Sequence, residues 1–215
     1  MIARRWTLLT AGALAGLLAY IPVARANVDP PPAIGELALP VAIASVIAAI
    51  ACWLGLRWAD ATGLPMPALR RIEGTAEASE RRGLAIACAG AIAGGAAAVA
   101  TLHAFELPNL GGSLAVRLAS TAFAAITLEV VIHLFFLAAM VRLTRSRRIG
   151  IAVSTLVFVV FHAGGALGAP PAILVSVVVL NGALGTFFGW LAVRFGFEYA
   201  VLAHAIAHAI AVTLG

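Results

Sequence analysis

Residues 119–143 read ASTAFAAITLEVVIHLFFLAAMVRL, a run long and apolar enough to span a bilayer that carries Glu129 and His133 near its middle. An acidic side chain at the centre of a spanning helix costs roughly 2.5–3.5 kcal/mol on insertion scales, so such a residue turns toward a polar interior and serves ion handling, proton relay or catalysis. Glu129 and His133 stand four apart, which places them on one helix face about one turn from each other. The face they share is the one expected to carry the chemistry.

The composition agrees with a membrane setting. Of 215 residues, 63% are hydrophobic and only 11% charged, and the mean hydropathy is +1.06. These are values of an integral membrane protein, expected to be an all-α polytopic transmembrane bundle. The isoelectric point of about 10.6 does not indicate nucleic acid, because the basic residues sit in short clusters between apolar runs, where they act as topology signals. Cys52 and Cys88 lie inside apolar runs without CxxC spacing, so neither a disulfide framework nor a zinc ribbon is expected.

About seven spans follow from the hydropathy pattern. The first covers 7–23, after MIARRW and before Ala24-Arg25-Ala26, and is either an uncleaved span or a signal peptide, which would leave six. The others are placed at 37–58, 84–105, 119–143, 149–166, a run ending at 193, and 199–214. The division expected is 1–26 as first span or signal peptide, 27–118 as an N-terminal membrane region with a polar loop at 59–83, and 119–215 as the catalytic-type core. Gly90 with Gly94, and Gly182, Gly185 and Gly189, are small-residue faces suited to close helix packing.

The arginine-rich segments 1–5, 57–82 and 142–148, with Arg194, alternate with the spans so that all of them fall on one side, expected to be the cytoplasm with the N-terminus inside. With that topology, a rise of about 1.5 Å per residue puts Glu129, His162 and Asn181 at a common depth of about 18 Å. His133 and His208 come out at roughly 12–14 Å and His204 at about 8 Å. Polar groups from four helices within about two turns of depth are what one buried site requires. His204 with His208, and Glu129 with His133, are each four apart and could hold a metal from two helices.

Three short elements then resemble a known family. Leu128-Glu129-Val130-Val131-Ile132-His133, Phe158-Val159-Val160-Phe161-His162 and His204-Ala205-Ile206-Ala207-His208 resemble, in order and spacing, the EExxxR, FxxxH and HxxxN/D elements of the CPBP intramembrane proteases, the CAAX-processing and bacteriocin-processing group. Gly63-Leu64-Pro65-Met66-Pro67-Ala68-Leu69 is similar to a stretch preceding the catalytic half of bacterial members. Aligned this way, the family's first glutamate falls on Leu128, its second on Glu129, its arginine on His133 and its final Asn or Asp on His208. The first motif is therefore degenerate.

The resemblance implies an intramembrane endopeptidase of a bacterial-type cytoplasmic membrane, acting on membrane-associated peptides or proteins in contact with the bilayer. In that reading Glu129 is the base, His162 a water or metal partner, and His204 with His208 oxyanion or metal partners. His133 is a second partner of the carboxylate, with Phe158 and Asn181 supporting. The donor set Glu129, His162, His204 and His208 suggests one zinc ion, and a metal-free glutamate mechanism is the alternative. Two other readings stand beside the enzyme: a catalytically silent member of the same fold serving as a membrane-embedded binding or immunity-type protein, and a small proton or metal transporter.

Overall fold

The computed structural model describes residues 2–72, 80–106 and 112–215. The described residues form helices joined by turns: α1 (Ile2–Asn27), α2 (Ile34–Thr62), the short α3 (Pro67–Ile72), α4 (Glu80–Ala104), α5 (Leu114–Thr144), α6 (Arg147–Ala163), α7 (Pro171–Arg194) and α8 (Phe197–Leu214). The expected all-α polytopic bundle is what the chain builds. Six of these helices, all but α3 and α6, are long and apolar enough to cross a membrane. The segment expected as a fifth span is α6, whose 17 residues rise about 26 Å, followed by one tight turn at Gly164–Ala166. Of the polar loop expected at 59–83, the part at 73–79 lies outside the described residues.

Helix ends follow local chemistry. Ser113 caps α5 by accepting from the Val116 N–H, so that helix starts earlier than the apolar run alone suggests. Ser146 caps α6 in the same way, through the Ile149 N–H. Between them the chain reverses within Arg145 and Ser146, and Arg145 takes the left-handed conformation, φ 54°. Gly63 ends α2 with φ 65°, a conformation that glycine adopts without steric cost.

Close approaches set the packing and its directions. Gly150 of α6 lies against Val141 of α5, while Gly189 of α7 lies against Ile151 and Ser154, and Gly185 against Phe158. These pairs make α5, α6 and α7 successively antiparallel. The glycines predicted to face a neighbour on the sixth span do so, with α6 as that neighbour. A methyl group added at Gly90 or Gly94 would run into Phe187 or Leu184 of α7. Gly95 against Ala207 and Ile210 sets α4 beside α8, and Thr127 Oγ1 donates to the Ala13 carbonyl at 3.0 Å, tying α5 to α1. The result surrounds α5, whose most apolar stretch is 67% buried, while the comparable stretches of the other long helices are 17–33% buried.

The outer faces carry exposed Leu39, Val46, Ile50, Leu156, Val160 and Val179, an arrangement suited to lipid and costly in water. Among the described residues the ion pairs and the Glu129–imidazole contacts lie inside the bundle or at one end. At that end Arg5 forms a bidentate pair with Asp60, at 3.0 and 2.8 Å, near the turn of Arg145. The basic ends of the helices thus share one pole of the bundle, as the charge pattern predicts.

Candidate functional site

The middle of α5 departs from regular α geometry: hydrogen bonds of π type run through Phe123–Leu128 and again through Val130–Phe136, on both sides of Glu129. Such widened turns are rare and recur at functional sites, because they re-aim side chains that a regular helix would spread around its axis. Here they present Glu129 and His133 to α7 and α8 together.

Glu129 is completely buried. Its two carboxylate oxygens accept from two imidazoles, His133 Nδ1 at 2.7 Å and His204 Nδ1 at 2.8 Å. His133 is itself 1% exposed, and its Nε2 lies 3.3 Å from the Gly185 carbonyl. Both ring nitrogens of His133 therefore face oxygen atoms, one of the Glu129 carboxylate and one of the Gly185 backbone. Each oxygen of the buried carboxylate thus has an imidazole partner, the condition under which a buried charge is tolerable.

His204 is oriented from both sides. Glu129 holds its Nδ1, and Phe188 stacks on its ring with centroids 5.1 Å apart and planes 21° from parallel. The remaining nitrogen belongs to a residue lining a mostly apolar cavity of about 210 Å³ among α4, α6, α7 and α8. His162, His208, Asn181 and Phe158 share that wall. The ring of His162 lies 5.9 Å from His204 and that of His208 6.1 Å. His162 is fixed by its own helix, through Nδ1 and the Phe158 carbonyl at 2.8 Å and by stacking on the Phe158 ring at 4.1 Å. His208 Nδ1 pairs with Thr121 Oγ1 at 3.1 Å, and Asn181 Nδ2 donates to the Val177 carbonyl at 2.8 Å, leaving its second N–H.

The expected convergence of Glu129, His162 and His204 is thus present, in two layers. Glu129 and His133 form an inner pair away from the cavity wall. His204 connects that pair to the cavity, where it meets His162, His208 and Asn181. Among the described residues no group of three or more His, Cys, Asp or Glu side chains is arranged to hold an ion, and the Glu129 oxygens are already taken by two N–H donors. These side chains as placed do not fit the single zinc ion expected from their types.

Residues 110–210 match the family model of the Rce1-like type II CAAX prenyl endopeptidases. This segment is Rce1-like. The family is the one that the three short motifs resemble, and the match, with six helices long and apolar enough to cross a membrane, supports a multi-pass membrane protein of an intramembrane-protease kind. No curated protein and no solved structure matches the chain. Every side chain of the two-layered site falls within the Rce1-like segment, whereas α1 and α2 lie before it.

Three contributors to the site escape a reading of motifs. Thr121 is one small polar residue in an apolar span, and only the packing of α8 on α5 reveals it as the partner of His208. Phe188 sits between Gly185 and Gly189, a position from which an aromatic ring reaches past two small residues into the core. The Gly185 carbonyl carries no side-chain signal, yet it supplies the second acceptor for His133.

Proposed function

We propose that the protein is an intramembrane endopeptidase that hydrolyses peptide bonds of membrane-associated substrates with a water activated by His204 under the control of Glu129. The observation that carries this reading is the hydrogen bond between His204 Nδ1 and a fully buried Glu129, on a residue that also lines the cavity. With its Nδ1–H donated to the carboxylate, the neutral ring keeps the lone pair on Nε2 for a proton. Glu129 then does for His204 what the aspartate of a Ser-His-Asp triad does for its histidine: it fixes the tautomer and stabilises the imidazolium that forms.

The steps balance without another reactant. Water held between His204 and His162 attacks the peptide carbonyl carbon, its proton passing to His204 Nε2. The C–N bond breaks as His204 returns that proton to the leaving nitrogen, giving a carboxylic acid and an amine. A donor for the developing oxyanion is available on the same wall from the second N–H of Asn181. A wall of mostly apolar side chains strengthens these contacts and suits apolar side chains of a substrate.

This assignment moves the proton-accepting role from Glu129, where the motif alone puts it, to His204, because Glu129 has no exposed surface on which to meet water. The same covering of Glu129 supports the second reading, a silent member of the fold in which the polar cluster is structural. Incubating the purified, reconstituted protein with a library of membrane-tethered peptides separates them. Cleavage lost on replacing either His204 or Glu129 supports the enzyme, and no cleavage by the unaltered chain supports the silent member.

A further inference from the structure

At the basic pole lies a second cavity, of about 600 Å³, unrelated to the first in position and chemistry. It is lined by Ala61 and Thr62 at the end of α2 and by Val141, Arg142, Leu143, Arg145 and Arg147 at the junction of α5 and α6. Arg142, Arg145 and Arg147 are exposed, and among the described residues none of the three has an ion pair. Asp60, the carboxylate adjacent to this wall in sequence, is held by both terminal nitrogens of Arg5. The wall therefore carries three guanidinium groups, and the carboxylate next to it in sequence is already paired with Arg5.

The position of the cavity selects its ligand. It is framed by the ends of α2 and α5, both long and apolar enough to cross a bilayer, and so falls at the level where lipid headgroups meet water. Guanidinium groups pair with phosphate through forked, charge-assisted hydrogen bonds. Basic pockets between spans at this level suit phosphate-bearing headgroups. We infer that this cavity is a binding site for the phosphate headgroup of an anionic phospholipid.

Occupancy has a structural consequence independent of whether the protein cleaves peptides. The ligand would bridge the end of α5, which carries Glu129 and His133, and the start of α6, which carries His162. It would also clamp the left-handed turn at Arg145 to the last turn of α2. The site thus links bilayer charge to the relative placement of the helices that build the buried cluster.

The test measures retention of a fluorescent phosphatidylglycerol by the full-length protein in detergent, with phosphatidylcholine and inorganic phosphate as competitors. Retention of phosphatidylglycerol is expected to fall about five-fold for Arg142→Gln or Arg147→Gln, and on the order of 100-fold when both are combined with Arg145→Asn. Asparagine is chosen at 145 because it tolerates the left-handed backbone there. Arg194→Gln removes one charge at the same pole outside the cavity and should leave retention unchanged. Equal losses in Arg194→Gln and Arg142→Gln would overturn the proposal in favour of diffuse surface charge. Displacement by inorganic phosphate as effective as by unlabelled phosphatidylglycerol would overturn the lipid assignment and leave a site for free phosphate. Should the triple variant misfold, the single variants and the competition with phosphatidylcholine decide alone, and phosphatidylcholine displacing the probe equally well would refute the site.

Discussion

Replacing Glu129 by glutamine changes almost no volume and yet sets two donors against one acceptor. The carboxylate accepts from His133 Nδ1 at 2.7 Å and from His204 Nδ1 at 2.8 Å, whereas an amide offers one oxygen and places an NH₂ where the second oxygen was. His133 already faces the Gly185 carbonyl on its other side and so keeps the amide oxygen. His204 then has two options. If it retains its tautomer, a buried N–H opposes the amide NH₂, and the lost charge-assisted bond costs roughly 1.5–3 kcal/mol of stability. If it switches, Nδ1 accepts from the amide and Nε2 carries the hydrogen, so the ring can no longer take a proton from water. The analogous acid-to-amide change in a Ser-His-Asp triad lowers turnover about 10⁴-fold by that route. Cleavage of a membrane-tethered peptide by Glu129→Gln is expected to fall by roughly 10²–10⁴-fold, with thermal unfolding in detergent showing a folded protein. Undiminished cleavage would refute both the orienting role of Glu129 and the identity of His204 as base.

Gly185→Leu is expected to destabilise the fold by roughly 1–3 kcal/mol, because a Cβ there already stands 3.1 Å from the Phe158 ring. An unchanged thermal midpoint would show that α6 and α7 are not held by that contact. Thr121→Val removes the partner of His208 while keeping shape, and should cost about 1–3 kcal/mol if that ring's nitrogen is left unpaired. A double-mutant cycle with His208→Ala reads that coupling, which vanishes if the pair is incidental. Arg145→Cys should react with an impermeant thiol reagent only from the cytoplasmic face, and labelling from the opposite face would invert the expected topology. Leu128→Glu restores the carboxylate pair of the family motif. It is expected not to create cleavage that the unaltered chain lacks, and its appearance only in this variant would establish the silent-member reading.

The bundle was legible because bilayer and protein core impose the same simple rule on long segments: apolar runs become helices that satisfy their own backbone, and arginine clusters mark their ends. The polar residues of the site were legible because each is expensive in such a run. What the sequence does not carry is the hydrogen-bond direction among them. Equal depth suggested that Glu129 faces the site directly, but the π turns on either side of it and the packing of Gly185 decide that it sits one layer behind His204. The arginines at 142, 145 and 147 read as topology signals only, since a cavity between α2 and the α5–α6 turn depends on how distant segments dock.

The persistence of a carboxylate in this setting follows from the geometry. A charged residue at the bilayer centre costs roughly 2.5–3.5 kcal/mol on insertion scales, and each hydrogen bond to a charged group contributes about 1.5–3 kcal/mol. The two bonds to Glu129 together give about 3–6 kcal/mol, enough to offset the cost, whereas either one alone barely does. Glu129, His133 and His204 therefore stand or fall as a unit. His133 supplies a hydrogen-bond partner of the carboxylate at the position where the family's pattern has an arginine, and a shorter, aromatic ring can do so because Phe158 and Phe188 pack around it, with centroids 6.0 and 6.4 Å away. An arginine placed there would need to fit a longer side chain into a space bounded by the Gly189 backbone, where His133 already lies 3.6 Å from an added methyl. Histidine at 133 and glycine at 189 are in this sense one solution, and His133→Arg should keep a donor to Glu129 but lose the packing, lowering stability where His133→Gln would lower both stability and cleavage.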